Sequence, residues 1–512
     1  MNKISCFILF MTGYMCIAQQ LTGVVKDGLN NESIPGAKIE LKELGVATFT
    51  DANGRFTLEG NWPNEFIIHV SAMTYESKTV LLTCCDSINF TLSPDPHDMD
   101  EVMVRVELRE LQGSLTQKTD YMKLDKLDVI TPLSISSALT QIDGVQMASY
   151  GPLNSKPVIR GMQGMRVVTF LNGMRINNQQ WGGDHGLGIS QVGMESAEVI
   201  KGPMSLIYTG DATGGLLYIK DGSFAPQNTY SIQMNTQFES VNKGSQNSLV
   251  YKVSGKKFRM SAAGIFSSYA DYAVPDGGYL SDSRMQDYGG KFKLGYNSGK
   301  WNFELNYLYS NSRVGIPGHT HDTLATPASF IIEEQDRGFS LPNQKIQNHF
   351  ANIKASYFLN SKNKMEFYLN HGYNNLKEFE EKIFTPGIDM YLNATSFQSR
   401  HYWNPSDKLQ VLSGIQASVQ SNNNGFKAEE RLIDDSDQYD VGLYSSLSYD
   451  FGGLLFNTVI RLDQRSIRSA EFNNDYPNLN ASIGIRKEWK AKAKQDIACH
   501  ISSGTRAPHL SE

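Results

Sequence analysis

Cysteine is scarce in this chain: five in 512 residues, at positions 6, 16, 84, 85 and 499. So few cannot form a disulfide scaffold across such a length. Long apolar runs are missing too. Beyond the N-terminus no stretch approaches the roughly 18 residues that a helical membrane span requires. Positive charge is not in excess, since 47 Lys+Arg stand against 53 Asp+Glu for a formal net charge of −6. That excludes a polyanion binder, whose affinity depends on concentrated cations. No G-x-S-x-G, H-E-x-x-H or G-x-x-x-x-G-K-[ST] occurs. What is present is aromatic and flexible: 24 Tyr, 25 Phe and 44 Gly, with a mean hydropathy of −0.36. A closed barrel of alternating strands crosses a bilayer with this composition and unremarkable hydropathy.

Met1–Gln20 reads as an export signal. Lys3 supplies the positive start, Ile4 to Ile17 is mostly apolar, and Cys16-Ile17-Ala18 is a small-x-small-like site that places cleavage after Ala18. Cys6 and Cys16 then leave with the signal. Adjacent Cys84 and Cys85 are poorly placed to bridge each other and read as small buried strand residues.

Residues 19–93 show short alternating runs separated by turn signals. Asp27-Gly28, Pro35-Gly36 and Asn53-Gly54 punctuate Leu21–Val25, Ile39–Leu41, Phe56–Leu58, Phe66–Val70 and Ser87–Leu92. Strands at this spacing with Asn-Gly turns predict a small β-sandwich. The pattern G-x-V-x-D, then P-G-A, then T-D-x-N-G-x-F resembles the carboxypeptidase-regulatory-like domain. The resemblance implies a non-catalytic appendage of the kind that precedes outer-membrane receptors in Bacteroidetes-type bacteria.

Residues 94–110 form a connector. Ser93-Pro-Asp-Pro96 favours extended backbone. The run that follows includes Asp100, Glu101, Val102, Met103, Val104, Arg105 and Val106, an acidic start with alternating Val. It reads as a strand, and it also resembles the TonB box, a segment that adds to the sheet edge of a partner. Backbone pairing of that kind needs little side-chain identity.

Residues 111–224 predict a small Gly-rich α+β domain. Ser136–Gly144 reads as a short helix, Val158–Gly161 and Arg166–Leu171 as strands, with Asn172-Gly173 turning the chain back. Glu198–Tyr208 reads as a strand, a Gly-Pro break and a short helix, and Gly214–Lys220 as a final strand. The ordered motifs I-R-G-M (Arg160, Gly161), L-N-G-M-R-I (Asn172, Gly173), E-V-I-K-G-P-M-S-L-I-Y (Lys201, Gly202, Pro203) and D-A-T-G-G (Gly214, Gly215) resemble the plug domain of TonB-dependent outer-membrane receptors. The glycines suit tight turns and close packing rather than a phosphate cradle.

Residues 225–512 alternate. Trp301, Phe303, Leu305, Tyr307 and Tyr309 face one way, with Asn302, Glu304, Asn306 and Leu308 opposite; Tyr439 to Phe451 repeats the pattern. This period predicts one face on lipid and one on a polar lumen. A soluble sandwich alternates likewise, but this repeat continues with no new domain signature. Arg461-Leu-Asp463 and Ser503–Glu512 also resemble barrel motifs of the receptor family. The expected fold is therefore mainly β: a sandwich, a plug and a transmembrane antiparallel barrel. Barrels of the family have 22 strands. At roughly 25 residues per strand with its connections, that needs about 550 residues, whereas 512 − 224 = 288 follow the plug. The expectation is the first half of a barrel, in a chain truncated at its C-terminus.

Two spots suit a metal or metal-complex substrate. Asp184-His185 lies in the plug, and His319-Thr-His321-Asp322 follows a strong strand, where an external loop belongs. Imidazole and carboxylate oxygen are apt ligands for Zn²⁺ and related ions. Both spots resemble those of zinc-type TonB-dependent receptors, although this loop lacks a long His-rich tract. The resemblance implies transport of zinc or an iron complex as cargo, no resident cofactor, TonB and its inner-membrane energising complex as partners, and an outer-membrane location. Ferric siderophore, haem or glycan uptake are alternatives within the same superfamily. An enzyme is not expected: His509-x-x-Glu512 gives an H-x-x-E, but without a catalytic domain or a further His ligand.

Overall fold

The computed structural model describes residues 19–28, 32–41, 46–51, 53–60, 65–72, 75, 77–83, 87–93, 119–124, 135–149, 155–178, 186, 188–189, 192–275, 277–318, 324–360, 362–406, 408–490 and 494–512. The expected signal segment, Cys84-Cys85 and the connector with its box-like run lie outside these residues. The chain divides into two compact units, 1–107 and 108–512.

The first unit pairs a three-stranded sheet with a four-stranded one. In the first, Gln19–Asp27 lies between Arg55–Gly60, antiparallel, and Ser87–Leu92, parallel. The second sheet runs Val46–Phe49, Lys38–Leu41, Phe66–Ser71, Lys78–Leu82. Alternate residues of both sheets, among them Leu21, Ile39, Phe56, Ile68 and Leu92, share one core. The Asn-Gly signal is a turn in fact. Asp51 Oδ1 accepts from the Asn53 and Arg55 amides at 2.8 Å each, and Gly54 sits at φ +71. A Cβ there would lie 2.7 Å from the Val25 carbonyl oxygen, so only glycine fits. Thr50 fastens a second loop, donating to Ile34 O (2.7 Å) and accepting from the Ala37 amide (2.8 Å).

The second unit begins with a five-stranded mixed sheet ordered Met174–Ile176, Val167–Leu171, Gly215–Asp221, Met194–Ile200, Thr119–Lys123. Val167–Leu171 and Gly215–Asp221 are parallel neighbours. The helix Ile135–Leu139 is shorter than the Ser136–Gly144 run suggests; the chain leaves it through turns to Gly144 at φ +73. After Gly202 a 3-10 helix, Pro203–Ile207, takes the place of the expected short α-helix. Asn172 (φ +50) and Gly173 (φ +87) make a tight turn with both central residues left-handed, the geometry for which Asn-Gly is selected.

Thirteen antiparallel strands follow in sequence order, from Tyr230–Glu239 to Lys494–Ser502, as one curved sheet. Connections at one end are short, such as 255–257, 298–300 and 451–453; at the other they extend to 270–284, 316–342 and 425–435. Burial along the strands is the reverse of a soluble sheet. Asn302, Asn306, Asn370 and Asn374 are buried, while Phe303, Leu305 and Leu369 are exposed. Polar residues thus face inward and apolar residues outward, which decides for a membrane barrel wall over a sandwich. Aromatic rings gather towards both ends of that outer face: Tyr309, His349 and Tyr373 near the long loops, Trp301, Tyr357, Tyr449 and Phe451 near the short turns.

Candidate functional site

The plug packs on the inner face of this wall, and polar contacts join the two. Asp211 follows the 3-10 helix and is buried. Its Oδ2 lies 2.5 Å from Arg175 Nη1 of the plug and 2.7 Å from Arg465 Nη2 of the wall. Arg465 Nε reaches on to Asp440 at 2.6 Å. Burial alone pushes the Asp211 carboxyl up, but the Arg465 and Arg175 guanidiniums outweigh it and hold the group well below the usual carboxylate range. His509 Nε2 stands 3.2 Å from both guanidiniums. Burial, reinforced by Arg465 and opposed by Asp211, brings its imidazole down to about 4. The ring is therefore neutral at pH 7, and the same Nε2 also lies 3.3 Å from Asp211 Oδ2.

Backbone carbonyls of the plug are gripped as well. Arg461 Nη1 donates to Leu206 O (3.2 Å) and Gln416 Nε2 to Tyr208 O (2.9 Å). Arg461 also binds Asp463 and Gln416 within the wall. On the other side, Asp221 Oδ1 meets Lys291 Nζ at 2.5 Å. Close approach is served by glycine: a Cβ on Gly173 would lie 2.8 Å from the Tyr368 ring, and one on Gly210 2.7 Å from Asp463 Oδ2. Between Gly173, Arg175 and Gly210 of the plug and Gln416, Gln438 and Arg461 of the wall lies a cavity of about 100 Å³ with a mixed polar and apolar lining. That is room for a few waters. Apolar contacts cross the seam as well: Phe170, Leu206 and Tyr208 of the plug share a buried cluster with Leu412, Tyr444 and Val459 of the wall.

The plug-motif residues serve the plug's own integrity. Lys201 Nζ pairs with Asp120 Oδ2 at 2.7 Å and also donates to the Asp143 carbonyl, tying an edge strand to the turn after the helix. Gly202 adopts φ 143, which side chains rarely reach, and Pro203 starts the 3-10 helix. Arg160 (φ +51) and Gly161 (φ +79) form a second tight turn. Asn172 Oδ1 accepts from the Asp221 amide at 3.0 Å. A Cβ on Gly214 would meet Met162 Cβ at 2.7 Å, and Gly215 sits at φ +132.

Asp184, His185, His319, His321 and Asp322 lie outside the described residues, as does the run Asp100–Val106. Their flanks are visible. The plug carbonyl Gly188 O accepts from Asn348 Nδ2 (2.6 Å) and Ser310 Oγ (3.5 Å). Ser310 and Asn348 are paired on the two strands that end at Gly315 and begin at Asn343, and the connection 316–342 joins those strands. The far part of that connection is anchored: Ile331–Ile332 joins a small sheet with Tyr279–Leu280 and Tyr272–Ala273, and Arg284 pairs with Asp271 (2.8 Å) and Asp336 (2.9 Å). The Asp211–Arg465 and Asp221–Lys291 pairs are not readable from sequence. Asp211 lies in the D-A-T-G-G motif, but nothing along the chain names a partner 254 positions away.

A mixed α+β plug held by ion pairs against a polar-lined, apolar-coated strand wall is the architecture of a plugged barrel of the outer-membrane type. Two segments of the chain match known domain families. Residues 112–216 match the TonB-dependent Receptor Plug Domain and residues 21–104 the CarboxypepD_reg-like domain. Residues 112–216 thus carry a plug of the TonB-dependent receptor type, and the similar proteins are transport receptors of that family. It is 20% identical over 394 residues to a Vitamin B12 transporter BtuB of Photobacterium profundum, covering 76% of this chain and 59% of that protein. Among solved structures, the copper transporter OprC superposes with a TM-score of 0.62 at 14% identity, over 77% of this chain and 64% of that one. The ferric citrate transporter FecA in the unliganded form gives 0.60 at 12% identity, over 73% and 61%. The chain thus spans under two thirds of the length of each of these proteins.

Proposed function

We propose that the protein is an outer-membrane receptor that takes up a metal ion or metal complex, with the plug as its TonB-operated gate. Substrate binds at the plug apex and the long loops, through Asp184, His185, His319, His321 and Asp322. Occupancy frees the box Asp100–Val106 on the periplasmic side. TonB pairs with it and, driven by the inner-membrane proton gradient, draws the plug from the wall. The barrel is a passive conduit, no resident cofactor takes part, and no reaction is catalysed.

The observation that carries the metal reading is the Gly188 contact. It docks the plug segment that follows His185 onto the two strands from which the His319–Asp322 loop springs. At 3.4 Å per residue, Ser310 lies only about 17 Å along its strand from the start of that loop. The described flanks, Gly188 on one segment and Ser310 and Asn348 on the strands that carry the other, meet in one sector of the wall, which supports a shared donor set suited to Zn²⁺ or to a metal held in a chelate. The similarity to proteins named as copper, ferric citrate and vitamin B12 transporters is in keeping with such cargo.

The test is metal-binding calorimetry and radiolabelled uptake with the intact receptor. A triple variant His185→Ala, His319→Ala, His321→Ala should lose at least tenfold in affinity for zinc or a ferric chelate while inserting normally. Unchanged binding and uptake of every metal species would overturn the reading, and binding of a glycan oligomer instead would favour the alternative.

A further inference from the structure

The outer face of the wall contains an interruption that gating does not use. Across four adjacent strands, cross-strand pairing aligns two rows: Ser399, Ile415, Leu443, Leu462, and beside it His401, Ser413, Ser445, Ile460. The two short serines, with oxygens 2.9 Å apart, leave a depression among long apolar neighbours. Its walls are Ile415, Leu443, Ile460 and Leu462, all exposed, and His401 stands at one end. Polar side chains are unfavourable on a lipid-facing surface, yet here three gather in one row.

The surroundings indicate what fills it. Trp403, directly beside His401, and Tyr449 and Phe451 lie towards the short-turn end, where amphipathic rings mark the membrane interface. Two exposed lysines lie in the adjoining short turns: Lys362, which donates to Pro405 O at 3.0 Å, and Lys408. An apolar trough with hydroxyls and an imidazole, next to an aromatic belt and two cations, matches one amphiphile: an acyl chain in the trough and an anionic phosphodiester at the lysines.

We propose that this depression is a binding site for one glycerophospholipid of the inner leaflet. The site rests on the reading that the apolar face of the thirteen-stranded sheet meets lipid, and it is independent of the cargo. An acyl chain lies against Ile415, Leu443 and Ile460, and Lys362 and Lys408 hold the phosphate.

The experiment uses the full-length receptor, purified in mild detergent and titrated with phosphatidylglycerol, phosphatidylethanolamine and neutral diacylglycerol. Native mass spectrometry counts the lipid retained. The parent is expected to keep one phospholipid in preference to diacylglycerol. The double variant Ser413→Leu, Ser445→Leu fills the trough and should retain at least fivefold less, whereas Ala262→Leu, beside exposed Phe292 on a distant part of the outer face, should retain as much as the parent. Lys362→Gln with Lys408→Gln alters only exposed turn residues and should remove the preference for phospholipid over diacylglycerol. Equal retention by all variants, or by diacylglycerol and phospholipid in the parent, overturns the proposal. Heat-modifiable migration in gels reports barrel formation separately, so a failure of the lipid-facing reading is told apart from an empty site, and metal binding is not consulted.

Discussion

Asp211 of the plug and Arg465 of the wall form a buried ion pair at 2.7 Å, although 254 positions separate them in the chain. Removing one partner of such a pair strands the other charge, at a typical cost of about 3–5 kcal/mol. Asp211→Asn should therefore loosen the plug more than it harms the barrel. The check is permeability to large antibiotics in cells together with hydrogen exchange of the plug strands. A variant as tight as the parent would show that the pair does not hold the gate.

Acid should loosen the same junction through His509. Its folded pKa, about 4, lies below the ordinary 6.5, so between these values the unfolded or undocked state binds more protons. Stability contributed by the neutral ring is full above about 6.5 and falls as pH drops towards 4, by roughly 3 kcal/mol at the acid end. Asp211 adds a loss at still lower pH, as its depressed carboxyl protonates. Thermal melts from pH 7 to 4 should show the decline, and His509→Gln should flatten it.

The box run Asp100–Val106 is expected to act only by backbone pairing. Val102→Pro or Val104→Pro removes an amide donor from that pairing. Uptake should fall to the level of a strain without TonB, while substrate affinity stays within about twofold. Loss of affinity would place the run in the substrate site instead.

The two faces of the wall should respond oppositely to charge. Leu369 is exposed on the outer face beside Ile353 and Phe397. Leu369→Arg should cost about 2–4 kcal/mol for insertion into lipid vesicles. At its inward neighbour Asn370, bonded to Asn352 and Ser396, Asn370→Asp should leave insertion nearly unchanged. Folding into vesicles followed by denaturant titration measures both.

Much of the architecture is legible along the chain because its signals are local. Asn53-Gly54 and Asn172-Gly173 specify turns whose left-handed backbone excludes larger residues, and alternation in Trp301–Tyr309 specifies a strand. The run Ser136–Gly144 overstates its helix, since the apolar spacing continues past the point where turns take over at Thr140. Strand Thr119–Lys123, which pairs at the plug edge beside Met194–Ile200, carries no clear alternation and is not recognisable from sequence.

The sequence by itself determined most of the strands and their turns, the order of the sandwich, plug and wall, and the inverted pattern that makes an outer surface apolar. These follow from periodicity and backbone preference, which act within a few residues. Only the tertiary structure decided which groups meet across the seam. Asp211 finds Arg465, Asp221 finds Lys291, and Ser413 aligns with Ser445, because strand register and plug docking fix them in space. A buried charge is tolerable only where its partner is delivered at hydrogen-bonding distance, and that condition is written in the fold rather than in any stretch of chain.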